Sequence, residues 1–508
     1  MTNHVLRRNP QLYEINACIF INRLSQKYRQ SLTLATVPDE EWQLLARQGF
    51  DLVWLMGVWQ RSPDSRHEAL QHPELRKEFD RALPGWTDED ISGSPYAIHA
   101  YELNPLLGQP GDLIQVKSKL NKLGLRLILD FVPNHLACDH PWIFSYPERF
   151  VQRESVEGVH PSWFFSAETS RYIARSRYFA HGRDPNFPPW TDTVQVNFYS
   201  PDLRQALTDE LRKIEDVADG VRCDMAMLAL NDVFGRVWGK FTDYPRPETE
   251  FWTETIGQVK QERPDFIFLA EAYWDLERQL QQLGFDFTYD KTFYDRLRWL
   301  SFSNNGDIRS HLMTDKPYQQ RSVHFIENHD EQRAVTAFGH ERSLAAAVIV
   351  TTVPGIRLFH AGQFEGNHIR LPVQLIRGPS EAIDTNIWRF YEKLLTACNS
   401  PVFHDGEWGM LDFTRDGLNN NNHLNVLAWS WQHKEQVKLV VVNYSEKACQ
   451  GWLKLPLGSE STQKVSLPDE LLGGTQDYSL KHTASRGLYL KLKPWESQIL
   501  DMAAGAGG

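Results

Sequence analysis

The 508-residue sequence predicts an α/β fold: a (β/α)8 barrel with a small subdomain inserted after its third strand and an antiparallel β-sandwich at its C-terminal end. Three observations predict it. Short apolar runs rich in β-branched and aromatic residues alternate with longer amphipathic stretches, as βα units around a parallel sheet require. One connection, residues 136–200, is far longer and more irregular than the rest. The final hundred residues switch to apolar–polar alternation broken by turn signals, the pattern of antiparallel strands.

The eight apolar runs fall at 17–21, 52–56, 127–131, 220–224, 266–271, 285–288, 323–327 and 356–359. Between them, stretches such as PDEEWQLLARQG and GDLIQVKSKLNKLG open on a proline or acidic signal, carry an apolar stripe and stop at glycine, which marks helices. A doubly wound open sheet yields a similar string, so alternation alone does not separate the two architectures. The long connection contains HPWIFSYPERF, HPSWFFS and DPNFPPW, and its aromatic content argues for an ordered, functional insertion. HLNVLAWSWQ, QVKLVVVNYS and RGLYLKLKPWESQILDM supply the strands of the sandwich. The barrel is thus assigned residues 1–135 and 201–395, the insertion 136–200 and the sandwich 396–502, with the terminal AAGAGG, 503–508, expected to be a disordered tail.

A formal net charge of −11 without any basic run excludes nucleic acid and anionic membranes as partners and suits a neutral substrate. No segment approaches the roughly 20 apolar residues needed to span a bilayer. The start, MTNHVLRRNPQLYE, lacks the apolar stretch of a signal peptide, so the expected compartment is the cytoplasm. Five cysteines lie scattered without CxxC spacing, against a zinc site or a disulfide framework. The 17 tryptophans are more than core packing usually demands, and their flat faces suit sugar rings as well as cores.

The candidate site residues all lie where predicted barrel strands end, at the rim on which barrel enzymes bind substrate. LRLILD runs into FVPNH and delivers Asp130, Asn134 and His135. DGVRCD delivers Arg222 and Asp224, FIFLAE delivers Glu271, and VHFIENHD delivers His329 and Asp330. A lone acid at a strand end more often caps a helix or pairs with a base. Four apolar strands that in order each bring a carboxylate or imidazole to one rim are a far stronger signal. Arg222 stands two residues before Asp224 and shares its face of the strand. Tyr273 and Trp274 follow Glu271, an apolar setting that disfavours its anion and fits it for acid catalysis near neutrality.

These motifs resemble, in order and spacing, the four signature regions of the α-amylase superfamily, glycoside hydrolase family 13. SPYAIHAYELNPLLG is similar to that family's stretch after the second strand and HAGQFEG to its turn after the eighth. The resemblance covers about 17–501. It implies a retaining α-glycosidase in which Asp224 is the nucleophile, Glu271 the general acid/base and Asp330 the third carboxylate, binding sugar hydroxyls and favouring the charged transition state. It also implies that His135 and His329 hydrogen-bond the same ring while Tyr96 stacks beneath it. The expected substrates are malto-oligosaccharides or related α-glucans. A hydrolase, phosphorylase or transglycosylase of small α-glucosides is the neighbouring reading, and a non-catalytic carbohydrate-binding relative the remote one.

Four positions depart from the family pattern. Met227 and Leu228 stand where many starch-acting members place Lys and His, and Ala97 replaces an Asp common in exo-acting α-glucosidases. Gln195 occupies a position where calcium-binding members carry Asp. Asn134 matches a frequent calcium ligand, but hard cations prefer several anionic oxygens, so no cofactor is required and calcium is not expected.

Overall fold

The computed structural model describes residues 6–167, 177–299, 305–417, 421–455, 464–479 and 487–503. Eight parallel strands close into a barrel: β1 (Gln11–Asn16), β2 (Leu52–Met56), β3 (Arg126–Phe131), β4 (Gly220–Cys223), β5 (Ile267–Ala270), β6 (Phe287–Tyr289), β7 (Ser322–His324) and β8 (Ile356–His360). Each pairs with its neighbours in sequence and β1 closes on β8, which rules out the open sheet.

The first strand lies earlier than the apolar run at 17–21 suggests. That run belongs to the helix Ala17–Tyr28, which starts where the Asn16 side chain accepts the Ile19 amide. Ala17, Cys18, Ile21 and Leu24 are buried at helical spacing. The strand is the less apolar QLYEIN, whose Leu12–Asn16 register against Leu52–Met56 puts Glu14 inside the barrel. At β4 the barrel wall is tight: a Cβ on Gly220 would meet the Ile267 carbonyl oxygen at 2.6 Å, so only glycine fits.

The helices cover the barrel through their apolar faces. In Asp39–Arg47, Trp42 and Leu45 are buried while three acids sit in the first turn, complementing the helix dipole. Each such buried side chain contributes about 1.5–3 kcal/mol.

Two excursions leave the rim. The one after β3 is pinned at its neck, where His135–Ala137 pairs antiparallel with Thr193–Gln195, and it carries the small sheet Gln152–Arg153, Arg177–Ala180 and Phe164–Ala167. The other, after β2, contains the ribbon of Trp59–Arg61 with Ile98–Leu103, the helices Pro63–Gln71 and Pro73–Ala82, and a separate core around Phe79, Ile91 and Leu375. This second excursion was not among the predicted elements.

The C-terminal region packs a four-stranded antiparallel sheet (Glu407–Met410, Val426–His433, Gln436–Asn443, Ser497–Ala503) over a three-stranded one (Phe413–Arg415, Cys449–Leu453, Leu488–Leu492). Leu439, Val441, Leu490 and Leu500 are among the core between them. Trp431 ties the sandwich to the barrel by donating Nε1–H to the Thr352 carbonyl at 2.6 Å. Of the tail at 503–508, Ala503 ends the last strand and the rest lies outside the described residues.

Candidate active site

Arg222, on β4, is the hub of the rim and only 1% exposed. Burying a guanidinium costs several kcal/mol unless anions and polarisable groups surround it. Here the rings of Trp54, Tyr96 and Tyr289 lie 5.2, 5.3 and 5.7 Å from it, within cation–π range. Its Nη1 donates to Asp224 Oδ1 at 2.7 Å and stands 3.8 Å from Asp130 Oδ1. Its Nη2 lies 2.8 Å from Glu271 Oε2, an ionic contact without the alignment of a hydrogen bond. One cation therefore touches the carboxylates at the ends of both β4 and β5.

Asp224 uses one oxygen in this contact. The other, Oδ2, is buried and has no hydrogen-bond partner among the described residues, leaving it free to form a bond. Burial raises the Asp224 pKa, and Arg222 opposes that rise by charge and hydrogen bond. Glu271 is more strongly affected: burial, with Asp224 and Asp330 nearby, pushes it up to about 7 in spite of Arg222. The Glu271 carboxyl is gripped by the Tyr273 hydroxyl on Oε1 at 2.6 Å and by the Met225 amide on Oε2 at 2.7 Å. Met225 reaches it with φ of 44°, a left-handed conformation unusual for a long side chain and of the sort that clusters at functional sites.

Across the rim, His329 and Asp330 follow β7. His329 contacts Glu14 Oε1 through Nδ1 at 2.6 Å, and its Nε2 lies 2.7 Å from the Tyr96 hydroxyl and 3.1 Å from Asp330 Oδ2. Burial alone would lower its pKa, but Asp330 and Glu14 override burial and lift it well above the ordinary value, so the ring is an imidazolium at neutral pH. That cation in turn holds the half-exposed Asp330 carboxyl below its usual range.

The structure thus brings Tyr96, Arg222, Asp224, Glu271, His329 and Asp330 together on one rim. Asp130 sits below, accepting from Trp54 Nε1 at 3.2 Å and the Gly57 amide at 2.9 Å, and serves to hold Arg222. His135 stands at the neck of the insertion, 4.9 Å from the Trp190 ring, and burial lowers its pKa to about 4, so it is neutral. Glu14 was not among the predicted site residues. Its signal, a carboxylate within the strand QLYEIN, is masked because the more apolar run at 17–21 that follows reads as the first strand.

The calcium-type position does not suit a cation. Gln195 Nε2 donates toward Asn134 O at 3.0 Å, Asn134 Oδ1 at 3.1 Å and Val196 O at 3.2 Å, spending on a neutral amide the oxygens a metal would need. Among the described residues no cluster of three or more His, Cys, Asp or Glu is placed to hold a metal.

Residues 42–369, well over half of the chain, match the family model for the alpha-amylase catalytic domain. The chain belongs to the α-amylase family. Within that family it is 25% identical over 391 residues to the alpha-amylase MalA of Haloarcula japonica, a match covering 73% of this chain and 51% of that protein. It is 26% identical over 484 residues to an alpha-1,4-glucan:maltose-1-phosphate maltosyltransferase of Streptomyces coelicolor, covering 89% and 61%. The chain spans roughly half to three fifths of the length of these curated relatives. Its fold is similar to that of a maltogenic alpha-amylase, AmyB, of Thermotoga neapolitana, with a TM-score of 0.67 at 20% identity over 97% of this chain and 99% of that one.

Proposed function

We propose that this α-amylase family member is a retaining α-glycosidase acting on α-glucosidic bonds of malto-oligosaccharides or related glucans. The observation that carries the reading is Arg222 bridging two carboxyl groups, one with a free buried oxygen and the other with its pKa near 7. Cleaving an acetal needs an acid on the leaving oxygen and an anion at the anomeric carbon. Arg222 holds the two carboxyl groups side by side at one rim, which supports the retaining reading, in which a carboxylate and an acid flank the same bond.

In the first half-reaction Asp224 Oδ2 attacks the anomeric carbon while Glu271 gives its proton to the leaving oxygen. The glycosyl ester forms as the bond to the leaving group breaks. Glu271, now a carboxylate, then takes a proton from water or another acceptor hydroxyl, whose oxygen displaces Asp224. Asp330, ionised beside the His329 imidazolium, binds sugar hydroxyls, and Tyr96 offers its ring to the sugar face.

Transfer to a small acceptor is a second reading, supported by Met227 and Leu228. Both are buried in the turn after β4 and present no polar group to a bound polymer. Catalysis needs no cofactor, the Gln195 amide standing where a metal would. The five free cysteines, four of them buried, favour a reducing compartment, the cytoplasm. Among the described residues no helix is long and apolar enough to cross a membrane.

The test is proton NMR of maltotriose cleavage. The α-anomer should appear first and mutarotate later; a β-anomer formed first overturns the retaining assignment.

A further inference from the structure

In a 1,4-linked glucan the oxygen that continues the chain toward its non-reducing end lies across the sugar ring from the anomeric carbon. In the closed barrel, β8 and β1 stand opposite β4 and β5, the strands that end in Asp224 and Glu271. A ring with its anomeric carbon at those two carboxyl groups therefore points its O4 toward the end of β1 and the chain leaving β8. What stands there decides whether a second ring fits.

That side is a wall made of two segments, the excursion after β2 and the chain leaving β8. Arg377 donates Nε and Nη2 to the two oxygens of Asp90, both at 2.7 Å. Such a bidentate pair fixes geometry as well as adding energy. The Ile376 amide donates to the Asp90 carbonyl at 3.0 Å, the Ser92 amide to the Gln374 carbonyl at 3.1 Å, and Leu375 is buried in one core with Phe79. Arg61 spans both segments, donating to the carbonyls of Gly93 at 3.0 Å and Val373 at 3.2 Å. Arg370 is tied to Glu78 at 3.0 Å, and its charge helps to hold Asp330 ionised. Ala97 is buried and offers no charge to this closure, which falls to the arginine contacts instead. Behind His329 the wall leaves a space of only about 60 Å³, between the end of β1 and Arg370–Val373. That is room for about two waters, whereas a small-molecule site occupies roughly 300–1,000 Å³. The opposite side differs: Trp274, three residues beyond Glu271, is 37% exposed and presents an aromatic face to the leaving group.

We propose that the wall closes the site behind a single sugar ring, so that the protein takes its glucan by the non-reducing end and removes one glucosyl unit per turnover. The proposal rests on the glycosidase reading of the rim and names its substrate class: a chain with a free non-reducing end. The rest of the chain leaves past Glu271 and Trp274, where nothing in the wall opposes it. An internal bond would need a second ring where Arg370 and Val373 stand.

The test compares maltoheptaose with the same chain blocked at its non-reducing end as the 4,6-O-ethylidene acetal, products being read by chromatography. Glucose should be the first product of the free chain, and the blocked chain should react slower by about 10²-fold or more, the cost of a misplaced ring. Arg377→Ala and, separately, Arg370→Ala loosen the wall and should raise the blocked-to-free ratio by about tenfold, a change a merely unstable variant would not produce because both chains would slow together. Comparable rates on the two chains, or maltose as the first product of the free one, overturn the closure. A ratio unmoved in both variants overturns its assignment to these contacts. Calorimetric titration of Asp224→Asn, which cleaves neither chain, reads the wall without turnover: the blocked chain should bind weaker by about tenfold or more, and equal affinity overturns the proposal. Neither readout depends on the anomer released, so failure of the retaining assignment is distinguishable from failure of the wall.

Discussion

The two sides of the rim handle buried charge in opposite ways. At β4 and β5, Arg222 is divided between Asp224 and Glu271, and the Glu271 side chain is only 4% exposed. Burial prevails there, and the carboxyl rises to about 7. After β7, His329 carries its charge directly against Asp330, whose side chain is 48% exposed, and ionisation prevails. A cation shared between two anions stabilises neither fully. The rim thus makes an acid by withholding a full counter-charge and an anion by granting one.

The largest effects should follow from breaking the first arrangement. Glu271→Gln cannot donate its proton and should lower kcat by about 10²–10⁴-fold. Asp224→Asn removes the attacking oxygen and should cost at least as much. Both are read by steady-state rates on maltotriose, with circular dichroism to check the fold; near-parental turnover in either would sink the assigned roles.

Breaking the second arrangement should cost less. Glu14→Gln replaces the anion against His329 Nδ1 with a neutral amide, and a charge-assisted hydrogen bond of about 1.5–3 kcal/mol corresponds to roughly 10–150-fold in kcat/KM. The sign of the pH effect follows from the raised His329 pKa. The parent ring stays protonated through neutrality, whereas in the variant its pKa falls and activity that needs the imidazolium is lost at lower pH. A pH profile of kcat/KM unchanged in shape would show that Glu14 does not set this charge.

A third position uses no charge at all. Gln195→Asp removes the amide that three oxygens share and should cost about 1–3 kcal/mol of stability in chelator, measured by urea unfolding. Added calcium should restore much of it, since the aspartate joins the oxygens already present, while the parent protein should be indifferent to chelator. A parent destabilised by chelator would contradict the neutral-amide reading.

What was legible in the sequence divides along the same lines. Buried strands with a carboxylate at the end, such as LRLILD and FIFLAE, announce themselves because both faces are apolar and the polar residue is the exception. β1 did not, because QLYEIN carries Glu14 into the barrel and is followed by a helix more apolar than the strand. That reversal displaced the strand and concealed the anion that charges His329. Gln195 is legible in the sequence as an amide where the resemblance implies a carboxylate, but its threefold donation depends on the pairing of 135–137 with 193–195, a contact across nearly sixty residues.

The smallest effect is the most exact probe of the acid. The Tyr273 hydroxyl donates to Glu271 Oε1, and donation to a carboxylate favours its charged form, so this contact lowers a pKa that burial has raised. Tyr273→Phe should therefore lift the Glu271 pKa further. The acid must be protonated to work, so the alkaline limb of kcat/KM should move to higher pH, by less than about one unit for a single hydrogen bond. If the limb moves to lower pH instead, Tyr273 is accepting from the protonated acid, and the low counter-charge at Glu271 is reinforced by a hydrogen bond rather than opposed by one.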